Sequence, residues 1–404
     1  MLKDYNFSNK IYYLPAVIFF LFFISEFTSK ALKFSGFDFT RVSGLLKLVF
    51  EIFILFYIYK YKKRNFIFFI KISLTLLLIY FIGHFFTLPK FTLSVFFINL
   101  YSLNGYLFIF ILFLALNPQN SSDEDTLKGQ VKYLDLVLKI IFIINSTAIV
   151  LGLIFSISLF QTYLFTNGRF GYNGMLLHAS HSSYIYCIYI IYFYNKYLKI
   201  EKKKYLWFLV IAILMGLIIS TKTVLLFIFL FLIYVMYKNL SLKLLIKVFF
   251  LIVLIVNFTW KFLVDLFKDK HDVLYNLYKN EGVITMLFST RNQSIYKKLT
   301  PYITEKWTWL NFIFGGANFN IGRTEFEIID LFWFFGVFGG SLYIYFLYQN
   351  FIKVLINNSQ LRIPILFLGL CISLSGSFFT NTPVIPYFIV LFFYIKSKSI
   401  CPVI

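Results

Sequence analysis

Apolar runs of about 17–25 residues recur from one end of the chain to the other, separated by short basic segments. That is the length a helix needs to cross about 30 Å of hydrocarbon. In lipid a backbone has no water to bond, so a spanning segment must satisfy its own N–H and C=O groups. Long continuous runs do so as helices, and the expected fold is an all-α integral membrane bundle. Hydrophobic residues make up 60% of the 404, leaving too little polar surface to cover a soluble globule. About twelve spans are expected, at 11–27, 43–60, 66–86, 92–116, 133–160, 174–198, 205–220, 222–238, 243–264, 326–349, 361–378 and 383–396.

A net charge of +21 would point to nucleic acid in a soluble protein. Here the lysines lie between spans, where they anchor loops, and no nucleic-acid partner is expected. Lys60, Lys62, Lys63 and Arg64 separate the second and third runs, and Lys128 and Lys132 the fourth and fifth. Lys196, Lys199, Lys202, Lys203 and Lys204 follow the sixth; Lys353 and Arg362 follow the tenth; Lys396 and Lys398 end the last. With twelve spans all of these share one side, which the basic bias makes cytoplasmic. Both termini are then inside, in a bacterial cytoplasmic (inner) membrane, and no cleaved signal peptide is expected. The stretch 205–238 would reach about 50 Å as one helix, too long for an ordinary crossing, so a hairpin at Ser220–Thr221–Lys222–Thr223 is expected. Cys187, Cys371 and Cys401 lie in or beside apolar runs without pairing or ligand spacing.

One long polar interval interrupts this pattern, from Asp265 to Asp330, and it holds eight of the chain's 17 acids. Its Trp307, Trp309 and repeated Leu, Ile and Tyr argue for a folded segment. The organisation expected is a bundle of about nine helices over 1–264, an external subdomain over 265–325, and C-terminal spans over 326–404. The acidic run Asp123–Glu124–Asp125 is read as a solvated cytoplasmic loop.

Arginine is rare, six residues against 32 lysines, and four of the six (Arg41, Arg169, Arg291, Arg323) face outward on this topology. A guanidinium binds phosphate oxygens through two parallel bonds, so cations kept on that side fit a diphosphate. The alternatives are interfacial anchoring, which is the reading for Arg41 beside Asp38, or neutralisation of Arg323 by Glu325 and Glu327. Arg169 opens RFGYNGMLLHASHSS, in which His178 and His181 lie three apart on one helical face. No Cys, Asp or Glu accompanies them locally, so sugar or phosphate bonding, catalysis or helix packing is expected ahead of metal. Lys222 in STKT would cap an external hairpin and either meet a substrate or snorkel. Gly315 and Gly316 form a turn before Arg323, Glu325, Glu327 and Asp330, three acids at the outer entry of a span. One of them could act as general base; favourable interaction with the helix dipole is the other reading for Glu325 and Glu327. Tyr and Phe near outer ends are read chiefly as interfacial anchors, with stacking on sugars as the alternative.

The layout resembles the Wzy-type O-antigen and capsular polysaccharide polymerases, which are related to the O-antigen ligases. The likeness covers about residues 160–350 and rests on the order of three loose motifs: RFGYNGMLLHASHSS, STKT, and STRNQ followed by FGGANFNIGRTEFEIIDLFWFFGVFGG. The resemblance implies transfer of a growing glycan from undecaprenyl diphosphate onto a lipid-linked repeat unit at the outer face of the inner membrane. It implies no metal, nucleotide sugar or other cofactor, and a separate chain-length co-polymerase as a possible partner. Diphosphate binding would fall to Arg169 and Arg291, with Lys222 in the place of the hairpin basic residue. Ligases carry a catalytic His at the entry to the span where this chain has Glu325, Glu327 and Asp330, a departure that disfavours ligase. A lipid-linked oligosaccharide flippase is the rival from another class. Reporter fusions beside Lys202 and Tyr278 should score in opposite compartments; one shared compartment would undo the orientation.

Overall fold

The computed structural model describes residues 2–37, 42–87, 93–163, 170–200, 203–239, 272–319 and 322–399. Among these residues the chain is almost wholly helical and forms no β-strand. The helices are α1 (Leu2–Phe34), α2 (Val42–Tyr61), α3 (Lys63–Thr87), α4 (Leu93–Leu116), α5 (Ser121–Phe155), α6 (Ala179–Ile200), α7 (Lys203–Ile219) and α8 (Lys222–Asn239). They continue with α9 (Asp272–Phe288), α10 (291–306, with a π-helical turn Ile295–Leu299), α11 (Trp309–Phe314), α12 (Glu327–Leu347), α13 (Arg362–Ser375) and α14 (Ile385–Ser399). Among the described residues six stretches are long and apolar enough to cross a membrane: Tyr12–Phe34, Val42–Tyr61, Lys63–Phe85, Ser94–Leu116, Asp123–Phe155 and Glu327–Asn357. The expected span 243–264 lies outside the described residues, as do Arg41 and Arg169.

The bundle has two chemically distinct ends. At the basic end Lys62 Nζ donates to the carbonyls of Ala115 and Asn117, and Lys396 Nζ to Asn117 Oδ1. Lys196 pairs with Asp135 at the same end. At the far end Lys30 of α1 reaches Asn173, and Ser183 of α6 meets Thr221. Between α7 and α8 the chain reverses direction. Ser220 adopts a left-handed φ of 57°, and Ile228 comes back to pack on Gly216. Residues twelve apart in one straight helix would lie about 18 Å from each other, so 205–238 is a hairpin.

α6 is the axis of the bundle. Every residue from Tyr184 to Tyr194 is buried, and a helix apolar all round belongs in a core. Four of its tyrosines are therefore inside with their hydroxyls bonded to protein. Tyr184 donates to the Gly376 carbonyl, Tyr186 bonds Asn145 and Ser146, Tyr189 donates to the Leu138 carbonyl, and Tyr192 donates to Asp135. Tyr189, Phe142, Phe193 and Phe208 interlock as stacked and edge-on rings around α6.

The acidic run 123–125, read as a loop, is instead the first turn of α5. Asp123 and Glu124 lie where the helix dipole favours anions, and Asp123 Oδ2 accepts from the Gln119 N–H. The polar interval is helical over most of its described part up to Phe314, as α9, α10 and α11. α11 wedges between α3 and α12, where side chains give way to backbone: a Cβ on Gly83, Gly315 or Gly336 would overlap main-chain atoms of the opposing segment. Gly336 breaks α12 with φ 67°. Replacing Gly336 by Ala adds both overlap and a strained φ, so the variant should lose about 2 kcal/mol or more and melt lower in detergent.

Candidate functional site

The far end gathers segments that are remote in sequence. Lys222, the first residue of α8, donates to the carbonyl of Met286 and, at 2.8 Å, to Ser289 Oγ, tying the 220–223 turn to the turn that precedes α10. Thr223 Oγ1 bonds Ser375 Oγ at the end of α13, and Thr221 bonds Ser183 in the first turn of α6 at 2.5 Å. That turn, Ser289–Thr290, is left-handed at both residues and delivers Arg291 at the start of α10. Arg291 Nε then bonds Glu325 Oε2 at 3.0 Å, and its Nη1 donates to the Leu374 carbonyl at 3.2 Å. Among the described residues Nη2 has no protein acceptor.

The three acids at the entry to α12 differ sharply. Asp330 is buried; Oδ1 accepts from the Thr324 N–H and hydroxyl at 2.8 and 2.7 Å, and Oδ2 from the Glu325 N–H. Glu327 is buried and accepts from the Phe378 and Phe379 N–H groups at 2.7 and 3.2 Å. Both are committed to backbone, holding the entry segment and the 376–380 turn in place. Glu325 is exposed and carries a φ of 60°, a region costly to an L side chain and most often kept at functional sites. Gly376 packs directly on its backbone, so close that a Cβ at 376 would overlap it.

Arg323 meets neither Glu325 nor Glu327 directly. Its guanidinium lies 4.5 Å over the Phe319 ring and bonds Thr380 Oγ1 at 2.5 Å and Ser102 Oγ at 3.0 Å. It joins α4 to the 380 turn and stays half-buried. Gly315 and Gly316 are buried in the α3–α11–α12 joint, where Asn311 Nδ2 and Trp307 Nε1 bond their carbonyls. Their geometry is that of a packing joint, with no side chain or open backbone turned to a ligand.

His178 and His181 do come together, with ring centroids 4.8 Å apart and planes nearly perpendicular. His178 is exposed; His181 is buried, and its Nδ1 lies 2.7 Å from Glu26 Oε2 on α1. A carboxylate in that position orients the imidazole and sets which nitrogen carries the proton. Among the described residues no cluster of three His, Cys, Asp or Glu suits a metal ion.

Glu26 and Lys30 are the functional-looking residues that the sequence reading passed over. Lys30 is buried and donates to Asn173 Oδ1 at 2.5 Å, the Gly174 carbonyl at 2.7 Å and the Gln161 carbonyl at 3.2 Å. It ties α1 to the Gln161 carbonyl and to the Asn173–Gly174 segment. Two charges four residues apart inside an apolar span are expensive unless used, and that spacing is the signal that could have found them. No family model matches the chain, and none of the curated proteins or solved structures matches it either. Lys30→Met leaves two buried acceptors and one part-buried acceptor without this donor. It should cost about 3 kcal/mol, read as a lower melting temperature and poorer yield of folded protein.

Proposed function

We propose that the protein is a polysaccharide repeat-unit polymerase. It would move a growing glycan from undecaprenyl diphosphate onto a lipid-linked repeat unit at the outer face of the bacterial cytoplasmic membrane. The observation that carries this reading is the meeting of the three motif segments at one end of the bundle, through Ser183 with Thr221, Lys222 with Ser289 and Arg291 with Glu325. On this reading twelve spans cross the membrane, the basic end is cytoplasmic with both termini, and the 265–325 segment caps the outer side.

The chemistry requires little of the protein beyond charge placement. The acceptor hydroxyl oxygen attacks the anomeric carbon, the bond from that carbon to the diphosphate oxygen breaks, and the diphosphate leaves as an anion on its lipid. Arg291 binds that anion, trading its carboxylate partner for phosphate oxygens that accept two parallel bonds. Glu325, released and exposed beside it, takes the acceptor's proton. Lys222 holds the Arg291 turn in position and adds positive potential, while Glu327 and Asp330 brace the peptide that carries Glu325. His178 and the Glu26-oriented His181 bind sugar hydroxyls at the mouth. Arg169 joins the diphosphate site on the same reading. A chain-length co-polymerase would act on this outer surface.

The break in α12 at Gly336 favours one rival, since interrupted spans mark transporters that move lipid-linked oligosaccharide. The lipid-linked pool separates the two. Deleting a polymerase leaves a single capped repeat unit on the cell surface, whereas deleting a flippase leaves none. Arg291→Ala and Arg291→Lys should each lower polymerisation by about 100-fold with normal expression. Glu325→Gln should fall by a similar factor, read as loss of the glycan ladder. Full-length product from either Arg291 variant would end the diphosphate assignment.

A further inference from the structure

The opposite end of the same central helix carries a second site that the polymerisation reading does not use. A cavity of about 380 Å³ opens there between α5, α6, α7 and α14, lined by Lys128, Val131, Lys132, Asp135, Lys196, Tyr205, Tyr394 and Ser397. Three ammonium groups face one carboxylate across it. Asp135 is already shared, accepting from Lys139 at 2.7 Å, from Lys196 and from the Tyr192 hydroxyl. Lys196 is buried inside a box of rings, about 5 Å from each of Tyr192, Tyr205 and Tyr394. At the rim Lys132 and Lys128 are exposed, and Lys128 pairs with the exposed Asp125.

The depth of this cavity follows from the length of α5. Its apolar stretch Asp123–Phe155 is 33 residues, about 50 Å of helix against about 30 Å of hydrocarbon. On the membrane reading that excess lets the first turns, which hold Lys128, Lys132 and Asp135, extend into the headgroups. Next to the lining residues the surface is apolar and open: Leu136 and Ile140 on α5, and Leu206 and Trp207 on α7, are exposed. A ligand seated here would meet cations with its head and aliphatic side chains with its tail.

We propose that this cavity is a binding site for an anionic phospholipid, with the phosphate held by Lys128, Lys132 and Lys196 and the Ser397 hydroxyl, and the acyl chains laid along α5 and α7. Basic pockets between spans are suited to phosphate head groups, and each lysine near the membrane surface adds about 1 kcal/mol. Lys196 supplies the deep contact and is paired with Asp135 when no lipid is bound. Lys128 and Lys132 lie at the rim and supply the selectivity for an anionic over a zwitterionic head.

The full chain, purified and placed in phosphatidylcholine bilayers doped with phosphatidylglycerol, tests this by native mass spectrometry of the lipid retained. Phosphatidylglycerol should be kept in preference to phosphatidylcholine, and the double variant Lys128→Gln/Lys132→Gln should weaken that retention roughly tenfold or more. Because both residues are exposed or at the rim, the variant should keep its fold, checked by its melting temperature in phosphatidylcholine alone. Lys60→Gln/Lys63→Gln removes two exposed lysines from the same end but outside the cavity, and should leave retention unchanged. Three results would each overturn the site. They are no preference for phosphatidylglycerol, an equal loss in the Lys60/Lys63 variant, or displacement of the lipid by inorganic phosphate alone, which would make the ligand a free anion.

Discussion

Every polar group on α6 must find its partner inside the protein, because the helix is shut off from both water and lipid along eleven consecutive residues. That requirement organises the rest. The tyrosine hydroxyls of α6 reach α5 at Asn145, Ser146, Leu138 and Asp135, and the 376 turn at Gly376. Each is a point where a neighbour is tied to the axis at a fixed height. The start of α6 and the residue before it then supply His178, His181, Ser183 and Tyr184, and its basic end supplies Tyr192 and Lys196. Both candidate sites are built on the two ends of one rigid element.

The contrast between Arg291 and Arg323 shows how burial decides what a cation is for. Both lie in the interval read as external, and both were equal candidates by residue type. Arg323 has exchanged solvent for an aromatic face and two hydroxyls, so its bonding is spent on joining α4 to the 380 turn. Arg291 is held by one exposed carboxylate and one carbonyl, a pairing that a phosphate could replace at small cost. The same division separates Glu327 and Asp330, fully engaged with main-chain donors, from Glu325.

Periodicity and charge bias made the helices legible. The apolar runs mark where they lie, and the lysine clusters at both ends of 205–238 anticipate the reversal that Ser220 makes. The local pattern could also nominate Arg291, Lys222 and the acids as chemically useful. It could not say which of them meet, because those contacts join residues 34 to 67 positions apart, and Lys30 reaches Asn173 across 143. Nor could it separate an acidic loop from an acidic first turn, since Asp123 and Glu124 suit both until the dipole of α5 is known. The glycine pair 315–316 is ambiguous for a related reason: a turn that admits a ligand and a joint that admits another helix ask for the same absence of Cβ.

The close approach of Gly376 to the Glu325 peptide makes two distant positions one mechanical part. Residue 376 has no room for a methyl group, while residue 325 holds a backbone shape that most side chains resist. Drift at either site is therefore bounded by the other. An acidic group at 325 could be moved along the chain by evolution only if the end of α13 were rebuilt with it, which anchors the position of this carboxylate more firmly than its exposure alone would predict.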